Sequence, residues 1–185
     1  MKHVMVDIET LGIHADSVML TIAAIQFDLE SGDMGMSFSR TVDIEDQVRR
    51  GRTITGDTLK WWLAQNPETL KLNMRAPVPL ESALYDFGEF IYDNDLQFVW
   101  ANGIAFDLAI LKHAYRSIPL PLPWAYYNER DYKTIRELFA APSIVLEDTS
   151  IKHNALADCK FQIQYLCEVW KQFKKKDNES ATDKR

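Results

Sequence analysis

The stretch that decides the fold is Val4-Met5-Val6-Asp7-Ile8-Glu9-Thr10-Leu11-Gly12. Its apolar residues are typical of a buried strand, and the glycine that follows ends that strand. Side chains alternate along an extended chain, so we expect Asp7 and Glu9 on one face, roughly 6–7 Å apart. Two buried acids destabilise a fold unless a cation or hydrogen-bond donors lie beside them. Carboxylate oxygens suit hard cations such as Mg²⁺ or Mn²⁺, so the stretch predicts part of a metal site.

The size and composition of the chain fit one globular domain. The sequence has 185 residues, of which 46% are hydrophobic and 26% charged, which is ordinary for a folded domain. We expect the domain to span residues 1–173 and the charged residues 174–185 to form a disordered tail. The formal net charge of −6 gives no general attraction to nucleic acid or anionic membranes, so a phosphodiester partner would require bound metal or a local basic patch.

Cysteine use and hydropathy predict a cytoplasmic protein with no membrane segment. Cys159 and Cys167 fall in one predicted helix, about 12 Å apart along its axis, which is beyond the reach of a disulfide. Free thiols fit a reducing compartment. No basic-then-apolar signal opens the sequence, and its apolar runs are too short to span a bilayer.

Hydrophobic periodicity predicts an α/β fold with a mixed sheet flanked by helices. Strands are expected at residues 2–8, 18–29, 36–44 and 96–101, with the second and third forming an antiparallel hairpin. The polar residues 45–56 predict a loop, and an irregular stretch is expected before the last helix. The expected helices cover residues 58–65, a segment starting at Asn66-Pro67, 81–93, 105–117, 132–140, and a last helix starting near Asn154-Ala155.

Two downstream segments supply further acids and a histidine. Asp107 follows the strand predicted at 96–101 and lies in the first turn of a helix. In that position its carboxylate either interacts favourably with the helix dipole or belongs to a set of ligands at the carboxyl end of the strand. His153 lies just outside the last helix and Asp158 about one turn inside it. A histidine in that position can lean over a site lined by an acid on the helix.

A second copy of the acidic tetrapeptide competes with the first. Val42-Asp43-Ile44-Glu45 repeats Val6-Asp7-Ile8-Glu9, but Asp46-Gln47 follows it in place of Thr10-Leu11-Gly12. We interpret the repeat as an exposed strand end before a polar loop. The tetrapeptide alone is therefore weak support for a site, whereas the set that it forms with the two downstream segments is strong.

The three segments resemble the three exonuclease motifs of the DEDDh superfamily of 3′–5′ exonucleases. Asp7-x-Glu9-Thr10-x-Gly12 resembles the first motif, Asn102-x-x-x-Phe106-Asp107 the second, and His153-x-Ala155-x-x-Asp158 the third. The resemblance covers residues 4–160, and Thr58-x-x-Trp61-Trp62-x-x-Gln65 is similar to a branch of small bacterial and phage exoribonucleases. It implies a ribonuclease H-like fold.

Applied to these positions, the resemblance implies a two-metal hydrolase. Asp7, Glu9, Asp107 and Asp158 would hold two divalent ions, Mg²⁺ or Mn²⁺, and His153 would be the general base. Two ions about 3.5–4 Å apart activate water and stabilise both oxygens of an in-line displacement, and histidine titrates near neutrality. The products would be nucleoside 5′-monophosphates released from RNA 3′ ends. Related ribonucleases are often homodimers, so a homodimer is expected.

Other motif residues are candidate substrate contacts. These candidates are Thr10, Leu11, Gly12, Trp61, Asn102 and Phe106. Leu11 stands where many relatives carry a small or hydroxylated residue, and it either wedges against the last base or packs in the core. Trp61 either stacks on bases or packs, whereas Trp62 is expected in the core. The arginines within residues 49–52 either contact phosphates or form a solvated loop.

Two other functions stay open from the sequence alone. A deoxyribonuclease or proofreading module would use the same chemistry, and no sequence feature reads a 2′-hydroxyl. The choice of RNA over DNA therefore depends on the branch resemblance. A non-catalytic nucleic-acid-binding domain would have lost a ligand, whereas all five catalytic positions carry suitable residues. We therefore expect a metal-dependent 3′–5′ exoribonuclease.

Overall fold

One mixed sheet forms the centre of the molecule. The computed structural model describes residues 1–139 and 153–182, with side chains described through residue 175. The strands are β1 (His3–Thr10), β2 (Met19–Phe27), β3 (Met34–Thr41), β4 (Phe98–Ala101) and β5 (Glu129–Asp131). Their order in the sheet is β3-β2-β1-β4-β5. The β1–β2 and β2–β3 pairs are antiparallel, and the β1–β4 and β4–β5 pairs are parallel.

Helices flank the sheet on both faces. The helices within the described residues are α1 (Ile44–Arg49), α2 (Gly56–Leu63), α3 (Pro67–Leu72), α4 (Leu80–Asp93), α5 (Asp107–Arg116), α6 (Tyr132–Leu138) and α7 (Ala155–Thr182). A 3-10 turn at Tyr126–Asn128 precedes β5. The α/β architecture with a mixed, helix-flanked sheet is thus as predicted. No helix within residues 1–139 and 153–182 is long and apolar enough to cross a membrane.

Alternation along β1 divides the core into two layers. Val4, Val6 and Ile8 pack in one buried cluster with α4 and α5. Met5 packs in a second cluster with β2 and α7 on the opposite face. Each large apolar side chain buried in this way contributes about 1.5–3 kcal/mol. The period-2 alternation puts the side chains of Asp7 and Glu9 on the α7 face.

The prediction that residues 45–56 form a loop is wrong for its first part, because α1 (Ile44–Arg49) covers residues 45–49. Asp43 caps this helix, and its side chain accepts a hydrogen bond from the backbone N–H of Asp46 at 2.7 Å. Strand β3 ends at Thr41, so the repeated tetrapeptide opens a helix and does not end a strand. The polar side chains of this segment form i,i+4 ion pairs on the helix surface. A run of polar residues occurs both in loops and on solvated helices, so the sequence pattern did not distinguish the two.

The other boundaries agree with the predictions to within a few residues, and β5 is the one strand within residues 1–139 and 153–182 that was missed. The last helix begins at Ala155, and both Cys159 and Cys167 are buried and free, as expected. The irregular stretch expected before that helix falls on residues 140–152, outside the described residues. The single domain over residues 1–173 and the disordered tail at 174–185 stay predictions. Helix α7 continues to Thr182, and residues 183–185 are likewise outside the described ranges.

Candidate metal centre

Three carboxylates meet at the C-terminal end of β1. Asp7, Glu9 and Asp158 each place a side-chain oxygen within 4.8 Å of those of the other two. The first two come from β1, and Asp158 comes from the first turn of α7. Cys159 holds that turn over the strand, because its buried Sγ lies 3.5 Å from the carbonyl oxygen of Met5. The side-chain period of the strand and the path of the helix together bring the acids into one group.

Asp107 joins this group from the other side of β1. It opens α5 and is only 3% exposed. The backbone N–H of Ile8 donates to its Oδ1 at 3.3 Å. The pairing of β1 with β4 stops at Val6 and Ala101, so Asp107 accepts from an N–H just beyond the end of that pairing. Asp107 is not one of the three acids within 4.8 Å of each other, but its charge raises the pKa of Asp7.

The four acids are electrostatically unfavourable in the metal-free protein. Burial is the largest cause of a raised pKa at each of them, and it raises the pKa of Glu9 to about 8 and that of Asp107 to about 7. The pKa values of Asp7 and Asp158 are raised as well, mainly by burial. Repulsion from the neighbouring carboxylates adds to the rise at Asp7 and Glu9. Either protons or cations must neutralise such a group, and its oxygen donors fit hard divalent cations.

Gln162 supports Asp7, and the sequence reasoning did not identify it. Its side chain is 3% exposed, and its Nε2 donates to Oδ1 of Asp7 at 2.9 Å. This hydrogen bond lowers the pKa of Asp7 and so opposes the effect of burial. Gln162 lies one helical turn beyond Asp158 on α7, so the i,i+4 spacing was the signal that could have found it.

His153 lies beside this group, immediately before α7. Its backbone is in the left-handed region, with φ of 62°. The centroid of its imidazole is 4.6 Å from that of Trp61 in an edge-on contact. Its charge lowers the pKa of Asp158, as expected for a histidine close to that acid. The third motif therefore brings its histidine and its acid together, as the sequence analysis expected.

The adjacent tryptophans have different environments. Trp62 is 2% exposed, and its Nε1 donates to the carbonyl oxygen of Thr10 at 2.8 Å. Its placement in the core is therefore as predicted, and it also holds the end of β1. Trp61 is 41% exposed while it contacts His153. Of the two, only Trp61 is exposed at the surface, beside His153.

The loop after β1 is packed tightly. Leu11 is 4% exposed and lies in a buried cluster with Trp62, which favours core packing over a wedge against a base. The hydroxyl of Thr10 donates to the carbonyl oxygen of Gly12 at 2.7 Å. A Cβ added at Gly12 would lie 2.5 Å from Oγ of Ser17, so glycine is required there by close approach.

The second motif positions a loop at the end of β4. Asn102 is half-buried, and its Oδ1 is buried without a hydrogen-bond partner among the described residues. Phe106 immediately precedes α5 and is partly buried against the core. Asp131, at the end of β5, accepts a hydrogen bond from the backbone N–H of Ile104 at 2.9 Å. The strand that the sequence analysis missed thus fixes the loop that carries Asn102 and Phe106.

The predicted arginine cluster is not a free basic patch. Arg49 and Arg50 form ion pairs with acids one turn earlier on α1. Arg52 is 4% exposed and donates through Nε to the carbonyl oxygen of Ser17 at 3.0 Å. Burial lowers the pKa of Arg52 to about 10. Arg52 therefore stabilises the loop between β1 and β2 in this conformation and is not exposed to a phosphate.

The fold and the group of acids agree with the class of protein that the family comparison gives, the 3′–5′ exonucleases. The family model described as the 3′–5′ exoribonuclease Rv2179c-like domain matches residues 2–170. The chain belongs to this family and is a 3′–5′ exonuclease, a class that implies divalent metal ions. A search of curated proteins finds no match.

Solved structures of other nucleases share the fold. Exonuclease X in complex with 5′ overhanging duplex DNA is 15% identical with a TM-score of 0.58, and 92% of each chain is covered. The nuclease domain of 3′hExo, a DEDDh family member bound to rAMP, is 10% identical with a TM-score of 0.57, again with 92% of each chain covered. Cell-death related nuclease 4 is 13% identical with a TM-score of 0.56 over 92% of this chain, which spans 64% of that nuclease. These likenesses show the ribonuclease H-like fold.

Proposed function

We propose that this protein removes nucleotides from the 3′ end of single-stranded RNA by a two-metal hydrolysis that releases nucleoside 5′-monophosphates. The observation that carries the proposal is the convergence of Asp7, Glu9 and Asp158, with ligand oxygens within 4.8 Å of one another. The description of the matching family as an exoribonuclease domain supports RNA as the substrate.

Four carboxylates would hold the ions. Asp7, Glu9, Asp107 and Asp158 are buried or half-buried, and the raised pKa of each, caused mainly by burial, supports a group that binds protons or cations. Divalent ions, Mg²⁺ or Mn²⁺, would supply that charge, activate water and stabilise the attacking and leaving oxygens. Gln162 donates to one oxygen of Asp7 and would orient the carboxylate for metal binding.

His153 would act as the general base. It is half-buried, and its imidazole makes an edge-on contact with the Trp61 ring. In the proposed reaction the imidazole takes the proton of the attacking water, and the 3′ oxygen of the preceding nucleotide leaves. General-base catalysis by a positioned histidine is typically worth about 10²–10⁴ in rate.

The terminal nucleotide would lie between Trp61 and the ends of β1 and β4. The exposed face of Trp61 would stack on a base, which is sequence-tolerant and suits an exonuclease. The backbone of the loop carrying Thr10, Leu11 and Gly12 and the side chains of Asn102 and Phe106 would line the rest of the subsite. Homodimerisation and a cytoplasmic location stay predictions. Sedimentation velocity tests whether the protein is a homodimer.

Digestion of 5′-labelled oligonucleotides tests this function. Single-stranded RNA and DNA are incubated with Mn²⁺, Mg²⁺ or EDTA, and we expect an RNA ladder that shortens from the 3′ end only with metal. Asp7→Asn should abolish it. Asp43→Asn, at the same position of the repeated tetrapeptide, is the matched control, because asparagine also caps helices and activity should be retained.

The outcomes separate the chemistry from the substrate. No metal-dependent hydrolysis of either polymer, or full activity in Asp7→Asn, would refute the proposed site. Hydrolysis of DNA with no action on RNA would leave the chemistry standing and replace the substrate. Release of nucleoside 3′-monophosphates would contradict the expected position of cleavage.

A further inference from the structure

A buried asparagine connects the sheet to the backbone of His153. Asn73 directly follows α3 and is 3% exposed. Its Nδ2 donates to the carbonyl oxygen of His153 at 3.1 Å and to that of Thr69 at 3.2 Å. Its Oδ1 accepts a hydrogen bond from the hydroxyl of Thr21 at 2.8 Å. The amide oxygen of Asn73 is thus hydrogen-bonded to β2, and its amide nitrogen to the first residue of the third motif.

These contacts define the orientation of the amide. Two carbonyl oxygens can only accept, so they require the NH₂ group, while the hydroxyl supplies a donor for the oxygen. A flipped Asn73 would place its oxygen against both carbonyls and lose both bonds. The amide therefore contacts His153 as a donor, and a side chain without that donor removes this hydrogen bond from the partly buried carbonyl of His153.

The connection starts directly beside a metal-site acid. Thr21 is the cross-strand partner of Glu9 in the antiparallel β1–β2 pair. Two hydrogen bonds, from Thr21 to Asn73 and from Asn73 to His153, then span the distance from the sheet to the histidine backbone. The fixed spacing of paired strands thereby sets the position of His153 relative to Glu9.

His153 needs such support because of its backbone conformation. Its φ is 62°, a region that costs an L-residue roughly 1–2 kcal/mol. Residues stay in such conformations when several contacts hold them there. The carbonyl of His153 is held by Asn73, and its ring by the edge-on contact with the Trp61 ring. Loss of the first contact frees the backbone while the ring contact remains.

We propose that Asn73 is a positioning residue, which holds the backbone of His153 so that the imidazole stays beside the acid group. The inference rests on the proposed role of His153 as general base and names the residue that sets its geometry. Asn73 touches neither substrate nor metal ligands through any hydrogen bond described above. Its effect is therefore expected on kcat and not on metal affinity.

Single and double variants test the inference. Asn73→Ala should lower kcat about 10- to 100-fold, since a displacement near 1 Å can have that effect. The KM for RNA and the calorimetric affinity for Mn²⁺ should be unchanged, and amide exchange in the first turn of α7 should become faster. His153→Ala should lower kcat about 10²–10⁴-fold. Adding Asn73→Ala to His153→Ala should reduce kcat no further.

Two further variants separate positioning from damage to the fold. Asn66→Ala removes the exposed cap at the other end of α3, so it should reduce stability and leave kcat unchanged. Thr21→Val keeps the shape at β2 but removes the hydroxyl that holds the amide oxygen. It should lower kcat about 2- to 10-fold, and it provides the test if Asn73→Ala does not fold.

The results distinguish failure of this inference from failure of the proposed function. Full activity in His153→Ala would overturn the general base itself. Loss of activity in His153→Ala with normal kcat in Asn73→Ala and Thr21→Val would overturn the role of Asn73 alone. A further drop in the double variant, or a matching drop in Asn66→Ala, would show a structural role for Asn73 and also overturn the proposal.

Discussion

The raised pKa values of the acid group predict that the metal-free protein loses stability as the pH rises. In the folded protein Glu9 keeps its proton up to about pH 8, whereas its ordinary value is 4.5. Between these values the unfolded chain binds fewer protons than the folded one. The free energy of unfolding therefore falls across this window, and it is highest on the acidic side.

The size of this effect follows from the pKa of Glu9. Each pKa unit is worth about 1.4 kcal/mol, so this one group predicts a loss of roughly 4 kcal/mol between pH 5 and pH 8. Asp107, with a pKa of about 7 in place of 3.8, acts in the same direction. Its contribution is not simply added, because the carboxylates repel one another and titrate as a group. A domain stable by about 5–15 kcal/mol would show this loss clearly.

Urea unfolding followed by tryptophan fluorescence measures the effect. The protein is unfolded at pH 5, 6, 7 and 8 in EDTA, and again with Mg²⁺ or Mn²⁺. Metal should restore stability most at pH 8, since it replaces protons on the carboxylates, and a concentration of 100 times Kd contributes about 2.7 kcal/mol. Glu9→Gln should reduce the pH dependence and raise metal-free stability while it abolishes activity.

The repeated tetrapeptide supplies the control for this experiment. Glu45 matches Glu9 in local sequence, but its side chain is 69% exposed in an ion pair on α1. Glu45→Gln should therefore leave the pH dependence as it is in the wild type. The reasoning fails if stability rises from pH 5 to pH 8 in EDTA, or if Glu9→Gln retains the full slope.

Three further substitutions have defined expected results. Gln162→Leu removes the donor to Asp7 and should weaken Mn²⁺ binding about 10- to 100-fold by calorimetry, whereas Gln164→Leu on the exposed face of α7 should not. Trp62→Phe removes the N–H that satisfies a buried β1 carbonyl and should lower the free energy of unfolding by about 1–3 kcal/mol in urea. Gly12→Ala forces a Cβ to 2.5 Å from the Ser17 hydroxyl and should cost about 1–3 kcal/mol in the same assay.

Each of these expectations has a result that contradicts it. Unchanged Mn²⁺ affinity in Gln162→Leu would mean that its hydrogen bond does not orient the carboxylate. A fully stable Trp62→Phe would mean that the β1 carbonyl finds another donor. Wild-type stability in Gly12→Ala would mean that the loop after β1 shifts without strain.

Local sequence predicted the elements whose pattern is strong over several residues. The β1 strand combines period-2 alternation with a glycine stop, so the shared face of Asp7 and Glu9 could be derived before the structure. The start of α7 was placed correctly because His153 and Asn154 precede an apolar helical stripe. In both cases the residues that decide the structure are close together in the chain.

The features that were missed depend on contacts between distant segments. Strand β5 has three half-buried residues, and only its pairing with β4 makes it a strand. Gln162 contacts Asp7 across 155 positions of sequence, so its i,i+4 spacing from Asp158 indicates a shared helix face but not the contact with Asp7. Leu63 lies next to the buried Trp62 in α2, yet it is 71% exposed, because periodicity gives the buried face of a helix but not how much of that face the neighbouring segments cover.

The separation in sequence between the metal-site acids has a consequence for synthesis in the cell. Asp7 and Glu9 are made early, whereas Asp158 and Gln162 lie on the last described helix. A chain still on the ribosome lacks these late residues until nearly all of the matched domain has been translated. In the proposed mechanism the site is therefore incomplete until α7 emerges and packs on the sheet, so we expect activity to begin only when the fold is complete.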